Sequence, residues 1–195
     1  LHKHDLLHND LAARNLLVAA DLRTAKVGDF GLSRHTSSYY YALSQQKFPV
    51  RWVAPEVMDK RKYSKASDVW SFAVLVWEIL SGGMIPYYEI DENLEVINFV
   101  MNGGRLLCPR NDPLLVDFWT SIVQPCFAKR NRDRPSFAEL SDCIDAYLLR
   151  IQNEGTGGDL VGTTQRSSAN ADTATERFYS NVPAGLSANQ FEFRG

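Results

Sequence analysis

The stretch His8-Asn9-Asp10-Leu11-Ala12-Ala13-Arg14-Asn15 sets a carboxylate, a guanidinium and two amides side by side, directly before the apolar run Leu16-Leu17-Val18. A second cluster, Asp29-Phe30-Gly31, closes the next apolar segment. Asp29 and Asn15 both offer hard oxygen atoms. Two such ligands with a polyphosphate are a reasonable way to hold Mg²⁺, which keeps few protein ligands and takes others from substrate and water. Asp10 is then left to orient or deprotonate a hydroxyl. Gly31 permits a backbone conformation that other residues resist. Taken alone, an Asp-Phe-Gly tripeptide arises easily by chance, and the acids read equally well as turn residues and a helix cap.

That chemistry needs elements to position it. Residues 16–19 and 26–30 read as two short strands joined by a turn around Ala20-Asp21-Leu22-Arg23, a hairpin that can fold Asn15 and Asp29 onto one side. Residues 31–51 are polar, rich in serine and tyrosine and without a clean period, and a loop of that length is usually functional. The segment SDVWSFAVLVWEILSGG then predicts a helix that is apolar nearly all round, with Asp68 as its N-cap and Gly82-Gly83 as its stop. Such a helix belongs at the centre of a domain. Residues 91–102 predict a helix capped by Asp91, with Leu94, Ile97, Val100 and Met101 on one side. Another starts at Pro113, carries Leu114, Leu115, Phe118, Trp119 and Ile122 at helical spacing, and should end or bend at Pro125. Ser136 and Glu139 form a capping box ahead of the stripe Phe137, Leu140, Ile144 and Leu148.

The composition bounds the function classes. With 195 residues, 45% of them hydrophobic, the chain can build one ordinary core. A formal net charge of -2 gives no reason to expect nucleic acid or an anionic membrane as the main partner. Cys108, Cys126 and Cys143 are far apart, which suggests reduced thiols in a cytosolic setting and a plain reading as small buried hydrophobes. No signal peptide is visible, and the most apolar run, Val69 to Leu80, falls short of the about 20 residues a bilayer requires. The chain starts at Leu1 and reads as beginning inside something larger. After about Glu154 the sequence turns to Gly, Ser, Thr, Ala and Asn, so residues 153–195 are expected to be a disordered C-terminal tail.

The order of the motifs resembles the protein kinase family, specifically the large lobe of a protein-tyrosine kinase, over roughly residues 1–150. HNDLAARN resembles the catalytic loop, Asp29-Phe30-Gly31 the start of the activation segment and Ala54-Pro55-Glu56 its end. SDVWSFAVLVWEI resembles the central helix, and Arg134-Pro135-Ser136-Phe137 the entry to the last helix. Five motifs in this order are very specific. The implied fold is α+β and protein-kinase-like, with residues 1–152 forming a mainly helical large lobe whose ATP-binding small lobe is absent from this chain.

The resemblance also implies roles, which follow the established template of phosphoryl transfer. Asp10 would accept or position the substrate hydroxyl proton. Asn15 and Asp29 would hold Mg²⁺ on ATP, with Arg14 beside the reacting groups and Leu17 on the adenine-pocket floor, where a plain core leucine is the competing reading. Ala12 stands where serine/threonine kinases usually carry lysine, and DLAARN matches the tyrosine-kinase form, receptor-type members above all. Phe48-Pro49-Val50-Arg51-Trp52 is similar to the tyrosine substrate shelf, with Pro49 and Trp52 supporting the ring. His8, Asp68, Glu56 and Arg134 are implied to be structural, the last two as an ion pair and Asp68 as the residue that steadies the loop. Tyr39, Tyr40 and Tyr41 are phosphorylation candidates, since three adjacent tyrosines on a loop are hard to explain as core. Tyr179, in FYSNV, resembles a phosphotyrosine motif read by adaptor domains.

One departure stands out. The family carries arginine at position 9, where it pairs with a phosphorylated residue of the activation segment. Asn9 has no charge to offer, and Arg34 or Arg51 would have to substitute. The implied activity is transfer of the γ-phosphate of ATP to tyrosine hydroxyls of protein substrates, in the cytoplasm or in the intracellular part of a receptor. Membrane attachment would require an upstream spanning segment. Without the small lobe the polypeptide by itself is expected to be inactive. A pseudokinase that scaffolds partners, and an interaction module using the tail, remain the alternatives.

Overall fold

The computed structural model describes residues 1–43 and 48–156, with side chains to residue 154. The chain divides into two units, Leu1–Asn153 and Glu154–Gly195. The second lies almost wholly outside the described residues, as do the expected tail and Tyr179.

Among the described residues, three small antiparallel ladders and a helical body make up the first unit. β1 (Leu6–Leu7) pairs with β4 (Arg34–His35), β2 (Leu16–Val18) with β3 (Ala25–Val27), and β5 (Tyr39–Tyr41) with β6 (Lys62–Ser64). The helices are α1 (Pro55–Lys60), α2 (Lys65–Ser81), α3 (Asn93–Met101), α4 (Pro113–Phe118) and α5 (Phe137–Thr156). The expected hairpin forms, though shorter than its apolar run, because the chain leaves the ladder at Val27 and Asp29 adopts a left-handed φ of 55°. Residues 31–51 are not one irregular loop. β4 and β5 are drawn out of it by partners, Leu6–Leu7 and Lys62–Ser64, that lie elsewhere in the sequence.

Helix α2 is the hub. Val69, Trp70, Ala73, Val74, Leu75, Trp77 and Leu80 are all buried, so it is packed round most of its circumference, as its sequence predicts. It stops where Gly82 turns left-handed (φ 78°) and the Gly83 N–H returns to the Glu78 carbonyl at 2.7 Å. Its start differs from expectation. Ser64 is the N-cap, with the Ser67 hydroxyl accepting from the Ser64 N–H at 2.9 Å, and Asp68 lies a full turn inside. Asp91 likewise gives way to Glu92 as the residue before α3.

Two predicted stripes are rotated. On α3 the buried residues are Val96 and Val100, while Leu94 and Met101 face solvent, since so short a helix seats only one i, i+4 row. On α5, Tyr147 takes the buried place expected of Leu148 and packs edge-on against Phe118. Leu114 on α4 is also exposed, but Trp119 and Ile122 are buried. α4 passes into a π-helical turn, Trp119–Val123, and then a 3-10 turn that contains Pro125. Of the cysteines only Cys126 is fully buried, its thiol pushed up to about 12 by desolvation, whereas Cys143 is exposed. Among the described residues no helix is long and apolar enough to cross a membrane.

Glu56 on α1 and Arg134 ahead of α5 form a two-pronged ion pair, Nη1–Oε1 2.7 Å and Nη2–Oε2 2.8 Å. Arg134 also donates to the Ala66 and Ala128 carbonyls at 2.9 and 3.0 Å, so its buried guanidinium is met on every side. Glu56→Ala strands that charge and should lower unfolding free energy by about 3–5 kcal/mol. Urea unfolding followed by tryptophan fluorescence measures it.

Candidate active site

The loop after β1 is held from beneath by α2. Asp68 accepts the His8 N–H on Oδ2 and the Asn9 N–H on Oδ1, both at 2.8 Å, and His2 Nε2 meets Oδ2 at 2.9 Å. Ten residues further along the same helix, Glu78 Oε2 accepts the Ala13 N–H at 2.9 Å. Both carboxylates are buried in an otherwise apolar helix. Glu78 was missed by sequence reasoning. Its only signal is an acid far from the start of a helix that is apolar nearly all round.

His8 ties the loop to the hairpin. Its Nε2 meets the Gly28 carbonyl at 3.0 Å and its Nδ1 accepts the Asp10 N–H at 3.3 Å, a pattern that fits one neutral tautomer with the proton on Nε2. The ring lies tilted against Phe30, centroids 5.2 Å apart.

Above this floor the functional side chains converge. Asn15 Nδ2 donates to the Asp10 carbonyl at 2.7 Å and to Asp10 Oδ2 at 2.9 Å, while Arg14 pairs with Asp10 Oδ1. The Asn15 carbonyl receives the Gly28 N–H at 2.8 Å, so Asp29 follows one residue after the contact. The hairpin thus brings the backbone at Asn15 beside Gly28, next to Asp29. Asp29 is exposed, and its Oδ1 accepts the Gly31 N–H at 3.2 Å. Asn15 spends its amide hydrogens on Asp10, leaving Oδ1 as its ligand atom. Among the described residues no group of three or more His, Cys, Asp or Glu forms. The oxygen pair Asn15 and Asp29 fits the lean donor set that suits Mg²⁺. Leu17 is 65% exposed on β2, an apolar surface beside Gly28.

The shelf residues are tied to the same centre. Pro49 precedes the 3-10 turn Val50–Trp52, whose last carbonyl accepts the Ser71 hydroxyl of α2 at 2.8 Å. The Arg14 guanidinium stands 4.6 Å from the Trp52 ring centroid, so one side chain joins Asp10 to the shelf. Arg51 donates to four carbonyls, Pro86, Tyr87, Ile90 and Asp91, at 2.6–3.0 Å. It is committed to the fold and does not replace an arginine at position 9. Asn9 itself is 4% exposed, with φ 66°, a left-handed conformation that asparagine tolerates. Its Nδ2 donates to the Leu32 carbonyl at 2.7 Å.

A family profile described as "Protein tyrosine and serine/threonine kinase" matches residues 1–144. The chain belongs to that family. Three relatives are similar to it. The sequence is 41% identical over 153 residues to human "Proto-oncogene tyrosine-protein kinase ROS", covering 75% of this chain and 6% of the relative. It is 39% identical over 151 residues to zebrafish (Danio rerio) "Ephrin type-A receptor 3", covering 76% and 15%. It is 42% identical over 155 residues to mouse "Cytoplasmic tyrosine-protein kinase BMX", covering 79% and 23%. The chain thus spans less than a quarter of the length of any of these three. The kinase fold accounts for the helix-rich body and the order of the loop, segment and helices around it.

Asp68→Asn in this kinase-family chain keeps the shape but turns an amide N–H₂ toward backbone N–H donors. It should cost about 3–5 kcal/mol, against about 1.5–3 kcal/mol for Glu78→Gln, which loses a single charged acceptor. Denaturant midpoints of the two variants and the parent check the order.

Proposed function

We propose that the protein is a protein-tyrosine kinase that transfers the γ-phosphate of ATP to tyrosine hydroxyls of other proteins. The observation that carries this reading is the joining of Asp10, Asn15 and Asp29 at one edge of the β2–β3 hairpin, with Leu17 exposed beside them. Mg-ATP, when bound, supplies the phosphoryl group and the cation that offsets charge as it is transferred. The remaining work falls to this chain's residues. Asn15 and Asp29 would hold the metal, Leu17 would support the adenine, and Asp10 would orient the substrate hydroxyl and receive its proton. Arg14 and Asn15 fix the Asp10 carboxylate, one on each oxygen. Pro49 and Trp52 would seat the tyrosine ring. ATP and Mg²⁺ are therefore the proposed cofactors, tyrosine-bearing proteins the substrates, and the interior of the cell the setting. An adaptor at a phosphorylated Tyr179 belongs to the same proposal.

Asn9 is the feature that favours a non-catalytic scaffold. It nevertheless sits in the loop without drawing on the Asp10 carboxylate, which supports catalysis over scaffolding.

The test is phosphate transfer from Mg-ATP to a poly-Glu/Tyr peptide by the intact protein. Asp10→Asn should reduce the rate about 10²–10³-fold with ATP affinity kept, the usual cost of one preorganised charged group. Asp29→Asn should abolish Mg-dependent ATP binding. Transfer undiminished by Asp10→Asn, or Mg-ATP affinity unchanged in Asp29→Asn, would contradict these assignments.

A further inference from the structure

Two guanidinium groups lie against the buried Trp70 ring of α2, Arg105 at 4.8 Å and Arg134 at 5.1 Å from its centroid. Arg134 has the Glu56 carboxylate as its counter-ion. Arg105 has no such partner. Its Nε donates to the Phe127 carbonyl at 2.9 Å, and its Nη1 to the Val100 and Gly104 carbonyls at 3.0 and 2.7 Å. Those bonds fix the side chain, but among the described residues no carboxylate pairs with it. Burial lowers its pKa, and the neighbouring Arg134 cation acts in the same direction. A charge taken partly out of water is ordinarily paired, as Arg134 is.

The uncompensated charge borders a cavity. Arg105 lines a hollow of about 570 Å³ together with Leu107, Trp119, Thr120, Pro125 and Phe127, a size within the range of ligand sites. One wall is the π-helical turn Trp119–Val123, and such turns are rare and recur at functional sites. Trp119 and Phe127, both buried, give the hollow an apolar floor, while Leu107 at its edge is exposed. The chain leaves the cavity at Ala128 and runs into Lys129 and Arg130, both exposed and without an ion-pair partner among the described residues. No residue of the loop 8–15, the β2–β3 hairpin or the shelf lines this cavity.

We propose that this cavity docks an acidic peptide segment of a partner protein. One apolar side chain of the segment seats on Trp119, Pro125 and Phe127, a carboxylate beside it meets Arg105, and further acids meet Lys129 and Arg130. The guanidinium selects a carboxylate, which arginine holds through a charge-assisted hydrogen bond. The apolar floor selects an aromatic or aliphatic anchor, the kind of side chain that carries most of the energy of a docked segment. The cations that follow Ala128 extend the positive charge past the cavity, which suits a linear segment rather than a compact small molecule. Docking there needs neither ATP nor phosphoryl transfer, so it stands or falls independently of the kinase reading.

The experiment titrates the full chain, without ATP, into a fluorescent peptide of glutamates flanking a single phenylalanine and reads anisotropy. The peptide carries no tyrosine, so it is not a substrate for the proposed transfer. Saturable binding is expected, weakened about tenfold or more when glutamine replaces the glutamates or alanine replaces the phenylalanine. Arg105→Gln should weaken it about tenfold, and so should Thr120→Trp, which fills the hollow from an exposed position. Lys129→Glu combined with Arg130→Glu should weaken it about threefold to tenfold. Urea midpoints show which variants fold, and the substitutions at exposed Thr120, Lys129 and Arg130 decide the matter if Arg105→Gln does not. No binding to the parent, or an affinity that survives Thr120→Trp, would overturn the proposal. So would an unchanged affinity in folded Arg105→Gln, or equal binding of the phenylalanine and alanine peptides, which is charge attraction alone.

Discussion

Two carboxylates buried in an apolar helix are costly unless donors meet them, and in α2 those donors are backbone N–H groups of the catalytic loop. Asp68 takes His8 and Asn9 and Glu78 takes Ala13, so the loop is pinned at both ends to the most buried helix of the molecule. A charge without its donors would destabilise the fold by several kcal/mol, so loop and helix must form together. This constraint orders the rest. With His8 and Ala13 fixed, Asp10 lies between two anchors, and the His8 ring carries the same rigidity to Gly28 and the start of the Asp-Phe-Gly turn.

The same helix also reaches the substrate side. Ser71 holds the Trp52 carbonyl, and Arg14 spans from the Trp52 ring to Asp10. The loop and the turn at Trp52 are thus tied to one helix, and the Glu56–Arg134 pair fastens α1 to the segment that leads into α5. A stiff base of this kind suits the proposed phosphoryl transfer, in which catalysis is mainly orientation and fixed charge.

Much of this was legible in the sequence because its signals are local. The family was legible in short motifs taken in order, and the hairpin between Asn15 and Asp29 has a plain apolar pattern and turn. The centre and the end of α2 were equally plain, from its apolar circumference and from Gly82-Gly83. What failed was contact at a distance. From its position alone Asp68 reads as an N-cap, and only the family resemblance implied that it steadies the loop, whose Asn9 and His8 N–H groups lie 59 and 60 residues upstream. Glu78 has the same problem with Ala13, 65 residues away. The tyrosine run lacked a strand signal because its partner strand, Lys62–Ser64, is equally short and polar. Faces of α3 and α5 were misjudged where a short helix seats one row, or where an aromatic ring outcompetes leucine for the buried place.

Helix α2 holds the loop from His8 to Ala13 through its two carboxylates, and amide hydrogen exchange tests this most directly. If the account is right, the His8, Asn9 and Ala13 amides exchange as slowly as the core amides of α2 and open together with them. Exchange of those three at the rate of an unprotected surface loop, while α2 stays protected, would contradict it.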